Sequence, residues 1–213
     1  MLFKCPLCHS EKLNEVAIGV RPDHYFLCSI CEYKFLNPAM RLDENSEKNR
    51  YLLHQNDVDN KDYQNFVQPL FEQICAQVHP PAHGLDFGAG TGPVLAKMLQ
   101  KQGYQVSLYD PFFWPDRSVL SGKYDFIFAC EVVEHLYEPA HEFAQLRGML
   151  EKNGLLALMT HLYNPAVSFE KWYYRLDPTH VGFFNAQTFQ WIKEHYGFSH
   201  LKIVGERIAL LIV

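Results

Sequence analysis

No stretch of this 213-residue sequence approaches the roughly 20 consecutive apolar residues that a membrane-spanning helix requires. The apolar runs at 155–159 and 208–213 are strand-length. Positive charge is not in excess either, because 19 Lys and Arg stand against 24 Asp and Glu and the sequence pI is about 6.1. The whole molecule therefore lacks the broad positive field on which non-specific binding to nucleic acid or acidic membrane depends, and only a local basic patch could serve such a role. No internal repeat or low-complexity tract is visible, which excludes collagen, coiled-coil and disordered classes. Met1 leads straight into a cysteine motif, without the charged start, apolar middle and small-residue cleavage site of a secretory leader, so a cytoplasmic location is expected. Cysteines remain thiols in that compartment, and the 6 present read first as metal ligands, catalytic groups or core filler. With 48% hydrophobic and 20% charged residues, the chain can build one principal core.

Four of the cysteines form two pairs, Cys5-Pro-Leu-Cys8 and Cys28-Ser-Ile-Cys31. A two-residue spacer lets both thiolates of a turn face one ion, and two such knuckles complete the tetrahedral sulfur shell that Zn²⁺ prefers. The competing reading is a pair of redox dithiols, but a segment of about 40 residues is too small to hold its own core, which favours structural zinc. His9 is then a bystander. Lys4, Lys12, Arg21 and Lys34 balance Glu11, Glu15, Asp23 and Glu32, so thiolates around a Zn²⁺ leave the segment anionic and poorly suited to gripping phosphate. Cys75 and Cys130 read as buried small residues.

Residues 41–60 are polar and read as a linker or cap. Tyr63, Phe66, Leu70, Ile74 and Val78 recur at helical spacing, with Pro69 expected to kink the helix and Pro80-Pro81 to end it. A strand at 84–88, a glycine turn and a helix over 91–102 come next, followed by a strand at 105–110. Further strands are expected at 124–130, 155–162, 201–204 and 208–213, with helices at about 139–150 and 187–196. Such alternation implies an α/β fold of Rossmann-like type, a mostly parallel sheet with helices on both faces, plus a small N-terminal zinc ribbon. The expected division is ribbon at 1–40, helical linker or cap at 41–80 and the main domain at 81–213.

Gly88-Ala-Gly-Thr-Gly92 sits where a doubly wound fold receives its cofactor, and Asp110 ends the next strand about twenty residues on, where a carboxylate can accept ribose hydroxyls. A dinucleotide site wants its third glycine where Pro93 stands, so another ligand fits better. Leu85-Asp-Phe-Gly-Ala-Gly-Thr-Gly92, Asp110 and Tyr124-Asp-Phe-Ile-Phe-Ala-Cys-Glu-Val-Val-Glu-His-Leu136, in that order, resemble the class I S-adenosyl-L-methionine-dependent methyltransferases, specifically small bacterial enzymes similar to the ubiquinone-biosynthesis O-methyltransferases. The resemblance covers most of residues 82–213. It implies methyl transfer, with the methionine part of the cofactor near Asp86, Gly88, Ala89, Gly90 and Gly92, the ribose on Asp110 beside Pro111, and Cys130 and Glu131 at its border. The segment carrying Tyr51 and His54 resembles the pre-core stretch that folds over the cofactor in these enzymes. Only residues 111–123 lie between Asp110 and Tyr124, so a helix and strand usual in the family must be abbreviated here. Asp116 or an aromatic among Phe112, Phe113 and Trp114 is the candidate adenine contact.

Methyl transfer is an in-line displacement in which alignment supplies much of the acceleration, and a hydroxyl acceptor also needs a base or a metal. If the segment after the strand at 124–130 forms a helical turn, Glu131, Glu134 and His135 share one face. Some relatives by resemblance place Mg²⁺ or a similar ion on such a Glu-x-x-Glu-His, and His180 could add a later ligand; in others the histidine packs or acts as a base. His135, His180, Glu131 and Glu134 are thus the candidate catalytic residues. The aromatic-rich loop at 161–185 is expected to cover the acceptor pocket, with packing as the plainer reading. The expected acceptor is a small metabolite. RNA is the alternative, which a basic face around Lys171, Arg175 and Lys193 would favour, and a non-catalytic zinc-ribbon binding protein on a degenerate scaffold is the other.

Overall fold

A computed structural model describes residues 3–19, 21–52 and 58–213, with the backbone alone for 21–23. Three short antiparallel strands come first, β1 (Leu13–Ile18), β2 (Arg21–Cys28) and β3 (Lys34–Leu36). Helices α1 (Glu44–Leu52) and α2 (Lys61–Gln77) follow. Alternation then runs through β4 (His83–Phe87), α3 (Val94–Lys101), β5 (Gln105–Tyr109), β6 (Tyr124–Cys130), α4 (Pro139–Met149) and β7 (Leu150–Met159). A long loop leads to β8 (Gly182–Phe183), α5 (Ala186–His195) and a closing hairpin of β9 (His200–Val204) and β10 (Ile208–Ile212).

The helix ends follow local chemistry. The Asn60 side chain accepts the N–H groups of Asp62 and Tyr63 to start α2, and that of Asn185 accepts the Thr188 N–H to start α5, satisfying first-turn amides that have no partner inside the helix. Gly103, at φ +92°, takes the left-handed position past α3. Pro69 lies inside α2, which runs on past it as one helix with its apolar face of Val67, Leu70 and Ile74 packed beside α3.

The large sheet runs β5-β4-β6-β7-β10-β9. Pairings from β5 to β7 are parallel, while β10 lies antiparallel to both β7 and β9. Successive side chains of a strand point to opposite faces. Phe126, Phe128, Leu155, Ala157, Ile208 and Leu210 therefore pack with α2 and α3, whereas Ile127, Ala129, Leu156, Leu158, Ala209 and Leu211 pack with α4 and α5. Burial on both faces is why these strands read as continuous apolar runs. Residues 111–123 add only a 3-10 turn at Arg117–Ser121, which leaves β5 at the sheet edge.

The smaller sheet runs β1-β2-β3-β8, so its last strand comes from far along the chain. Of the loop at 161–185, Asp177 and His180 reach the large cavity at the carboxyl ends of the parallel strands, and the packing reading holds for most of its aromatics. Phe169, Trp172, Tyr174 and Phe183 are buried with Tyr25 and Leu36, because the N-terminal strands offer them an apolar surface. The Lys34 ammonium lies over the Tyr163 and Phe169 rings, 3.7 and 4.1 Å from their centroids.

Gly84 tests the sheet's packing, since a Cβ there would stand 2.3 Å from the Phe126 ring. Gly84→Ala is expected to lower stability by about 1–3 kcal/mol, read as a reduced denaturant midpoint at unchanged slope.

Candidate active site

The turn after β4 is shaped by two glycines and one carboxylate. Gly88 and Gly90 adopt φ of +86° and +59°, a region that side chains rarely occupy. The Gly88 and Ala89 N–H groups donate to the Tyr109 carbonyl at 2.8 and 3.0 Å, which ties the turn to the end of β5. A Cβ at Gly88 would lie 2.5 Å from the Val132 side chain, whereas one at Gly90 would meet nothing within 4 Å. Asp110 accepts the Gly90 N–H on Oδ2 at 3.1 Å, and those of Phe112 and Phe113 on Oδ1 at 2.8 and 3.0 Å. The indole N–H of Trp114 closes the turn by donating to the Gly90 carbonyl at 2.9 Å. With one donor, Oδ2 retains acceptor capacity.

These groups border a cavity of about 660 Å³ outside the carboxyl ends of β4, β5 and β6, the place where open α/β sheets receive ligands. Asp86, Gly88, Ala89, Gly90, Gly92, Asp110, Pro111, Cys130, Glu131, Tyr51, His135 and His180 all line it. Glu134 is buried behind it. His54 lies outside the described residues. Asp116 does not face the cavity, because its carboxylate caps the 3-10 turn by accepting the Ser118 N–H; Phe112, Phe113, Arg117 and Leu120 line that side instead. Glu47, Tyr63, Phe66, Asp177 and Gln145 also line the cavity and were not anticipated as site residues. Glu47 and Tyr51 stand at i and i+4 with Tyr51 Oη donating to Glu47 at 2.7 Å, so helical spacing within α1 was the available signal.

Buried acids cluster at the strand ends. Burial, and next the Asp110 charge, push the Asp86 carboxyl up to about 8. Burial and then the Glu134 charge push Glu131 up to about 8 as well, with Arg207 opposing, and burial raises Glu134. The Tyr174 hydroxyl lies between the two glutamates, 3.0 Å from Glu131 Oε2 and hydrogen-bonded to Glu134 Oε1. A single phenolic proton cannot fully serve both carboxylates, which agrees with one of them retaining its own proton.

The expected convergence of Glu131, Glu134, His135 and His180 holds only in part. Glu131 takes a left-handed φ of +53°, and the helical turn that follows is a short 3-10 segment, Val133–His135. The Glu131 carboxylate is thereby directed to Tyr174 and to Arg207, 3.3 Å away. Ligand atoms of Glu134, His135 and His180 do lie within 4.8 Å of one another. His135 Nδ1 meets the Thr179 carbonyl at 3.0 Å and His180 Nδ1 the Tyr174 carbonyl at 2.6 Å. A carbonyl only accepts, so both Nδ1 atoms carry the hydrogen and each neutral ring keeps its lone pair on Nε2. Burial holds His180 below the ordinary histidine pKa.

The four thiols of Cys5, Cys8, Cys28 and Cys31 also lie within 4.8 Å of one another, with Cys5–Cys31 at 3.6 Å and Cys8–Cys28 at 3.4 Å. Four sulfurs each about 2.3 Å from a central zinc stand about 3.8 Å apart, so the donor set fits that ion. Both knuckles use the same turn, in which the N–H of residue i+4 returns to the first cysteine's carbonyl and residue i+4, His9 or Glu32, is left-handed. The Arg175 guanidinium donates to the carbonyls of Phe169 and Glu170.

A family model described as a methyltransferase domain matches residues 60–203. The fold is similar to that of an O-methyltransferase family protein from Burkholderia thailandensis, with 14% identity, 78% of this chain and 62% of that chain covered, and a TM-score of 0.52. It is also similar to a SAM-dependent methyltransferase from Archaeoglobus fulgidus, at 19% identity, 65% and 71% coverage and a TM-score of 0.51. A third likeness is to Haemonchus contortus phosphoethanolamine N-methyltransferase 2 in complex with S-adenosyl-L-methionine, at 13% identity, 63% and 37% coverage and a TM-score of 0.51. At these identities the likeness is one of fold. This chain spans 62% of the length of the first of them and 37% of the third. No curated protein matches the sequence.

The raised Asp86 pKa has a stability consequence with a definite sign. The folded state keeps a proton that the unfolded chain releases above about pH 4, so this group favours folding at low pH and that contribution is lost as pH climbs to about 8. Asp86→Asn removes it, and the melting temperature of the variant minus that of the parent should rise between about pH 5 and about pH 8, then level off. Parallel curves would show that Asp86 is not the source.

Proposed function

Because the chain belongs to the family of proteins with a methyltransferase domain, we propose that it transfers the methyl group of S-adenosyl-L-methionine to a hydroxyl or amine of a small-molecule acceptor. The observation that carries this reading is the meeting, in one cavity, of an open glycine turn, the Asp110 carboxylate and a pair of histidines. The cavity has the size of a cofactor-and-ligand site, and Gly90 leaves free the space a side chain would fill. Asp86 and the turn at Gly88, Ala89, Gly90 and Gly92 receive the methionine part, Asp110 Oδ2 the ribose hydroxyls, and Phe112, Phe113 and Leu120 the adenine. When bound, the sulfonium supplies an electrophilic methyl group. The chain supplies alignment, and Tyr51, on α1 with its ring centroid 5.4 Å from that of His135, helps close the cavity over the acceptor. His135 or His180 accepts the proton of an acceptor hydroxyl on Nε2, while the carbonyls of Thr179 and Tyr174 hold the tautomer.

Charge favours a small acceptor over RNA. Glu47 and Asp177 line the cavity with Arg117, while Arg50 and Arg207 are paired with Asp177 and Glu131. A phosphate backbone would meet carboxylates there. The cysteine spacing and the fit of the four sulfurs support a structural zinc in an N-terminal ribbon at 1–40, preceding a cap at 41–80 and the catalytic domain at 81–213. A second reading, with a divalent cation on Glu134, His135 and His180, draws support from the buried Glu134 Oε2, which has no hydrogen-bond partner among the described residues. Two imidazoles suit a metal such as zinc or iron better than magnesium.

Calorimetry with S-adenosyl-L-methionine, and transfer of labelled methyl into fractions of a cell extract, test the proposal. Label should enter the low-mass fraction. Asp110→Ala should weaken cofactor binding about tenfold or more. The His135→Ala, His180→Ala double variant should bind the cofactor normally and lose about 10²–10⁴ in turnover. Label confined to RNA would overturn the acceptor class, and absence of cofactor binding would favour a non-catalytic scaffold.

A further inference from the structure

The cysteine cluster and the histidine pair are joined through backbone. The first knuckle leans on the main domain, where the Pro6 carbonyl accepts the Ala140 N–H at the start of α4 at 3.3 Å and the Leu7 carbonyl accepts Tyr196 Oη at 3.2 Å. In the second, Glu32, next to Cys31, accepts from the Asn185 side chain at 3.2 Å. Strand β3 begins three residues after Cys31 and pairs with β8, and the Leu36 N–H donates to the Val181 carbonyl at 2.8 Å. The Val181 N–H donates in turn to the Glu134 carbonyl, also at 2.8 Å. His180 precedes Val181, and Thr179, one residue earlier, holds the His135 ring.

The joint is tightly packed. Tyr33 is fully buried, and a Cβ at Gly182 would lie 1.7 Å from its hydroxyl oxygen. Only a glycine leaves room for the buried Tyr33 hydroxyl at that point. The ribbon's hydrogen bonds reach α4, Tyr196, Glu170 and residues 181–185.

We propose that the Cys5, Cys8, Cys28 and Cys31 centre is a positioning element of the acceptor half of the active site. Joined by a metal, the four cysteines hold β3; β3 holds Val181 and Gly182; and these set His180 against the Glu134–His135 turn. The cofactor half is independent of this linkage. The proposal rests on the zinc reading given above.

The test compares the zinc-loaded chain with the same chain stripped by a chelator, using amide hydrogen exchange, the imidazole NMR resonances and calorimetry with S-adenosyl-L-methionine. Stripping should raise exchange at residues 181–184 by about tenfold or more and shift the His135 and His180 resonances, with cofactor affinity kept within about twofold. Gly182→Ala leaves every cysteine in place and should retain one zinc per chain while producing the same resonance shifts. Unmoved exchange and resonances on stripping, or resonances left in place by Gly182→Ala, would overturn the linkage. Loss of cofactor binding together with those changes would overturn it too, since that marks general unfolding. A chain that binds no zinc defeats the zinc reading and this inference with it, whereas a zinc protein with unmoved resonances defeats only the linkage.

Discussion

The Asp110 carboxylate accepts the N–H groups of Gly90, Phe112 and Phe113, and those three hydrogen bonds decide where the walls of the cavity stand. One oxygen holds the turn after β5 and the other holds the turn after β4, so two parallel strands end in a shared, rigid corner. Backbone amides carry no sequence information of their own, yet a buried carboxylate that collects them sets the path of two loops at once. The short segment at 111–123 adds no strand beyond β5, which leaves β5 at the sheet edge, and Phe112 finds a neighbour in Tyr51 of α1, with ring centroids 5.9 Å apart.

Opposite that corner the chain gathers acids where water is scarce. Asp86, Glu131 and Glu134 are all raised by burial, and the structure answers with partial remedies: Arg207 beside Glu131, and Tyr174 between the two glutamates. A left-handed Glu131 adds backbone strain of the kind that persists only where surrounding contacts over-determine it. The arrangement lowers stability locally and leaves carboxylates and histidines close to one another beside a cavity, which is how acid–base chemistry is set up in a folded chain.

The ribbon would ordinarily be regarded as an appendage. Its residues Cys5, Leu7 and Phe35 instead share a buried cluster with Ile127 and Leu156 of the large sheet, and β8 completes its own sheet. A small segment that cannot fill a core by itself has two remedies, a metal and a neighbouring surface; the architecture offers it the surface, and its four clustered thiols fit a metal.

The cysteine pairs, the glycine turn, Asp110 and the order of strands and helices were legible in the sequence because each depends on short spacings: two residues between thiols, a tight turn after a strand, an apolar period of two or of 3.6. The turn at Glu131 was not legible, since a left-handed glutamate is disfavoured locally and is held there by the Met159 carbonyl and Arg207 from other strand ends. Nor was the fate of the aromatic loop: whether Phe169 and Trp172 cover a pocket or bury themselves depends on Tyr25 and Leu36, more than a hundred residues away. Sequence by itself determined the local turns, the donor sets and the layering of the sheet. Tertiary structure alone decided which donors meet, because a three-residue strand beside Cys31 finds its partner at residues 182 and 183, and no local periodicity encodes a pairing across that distance.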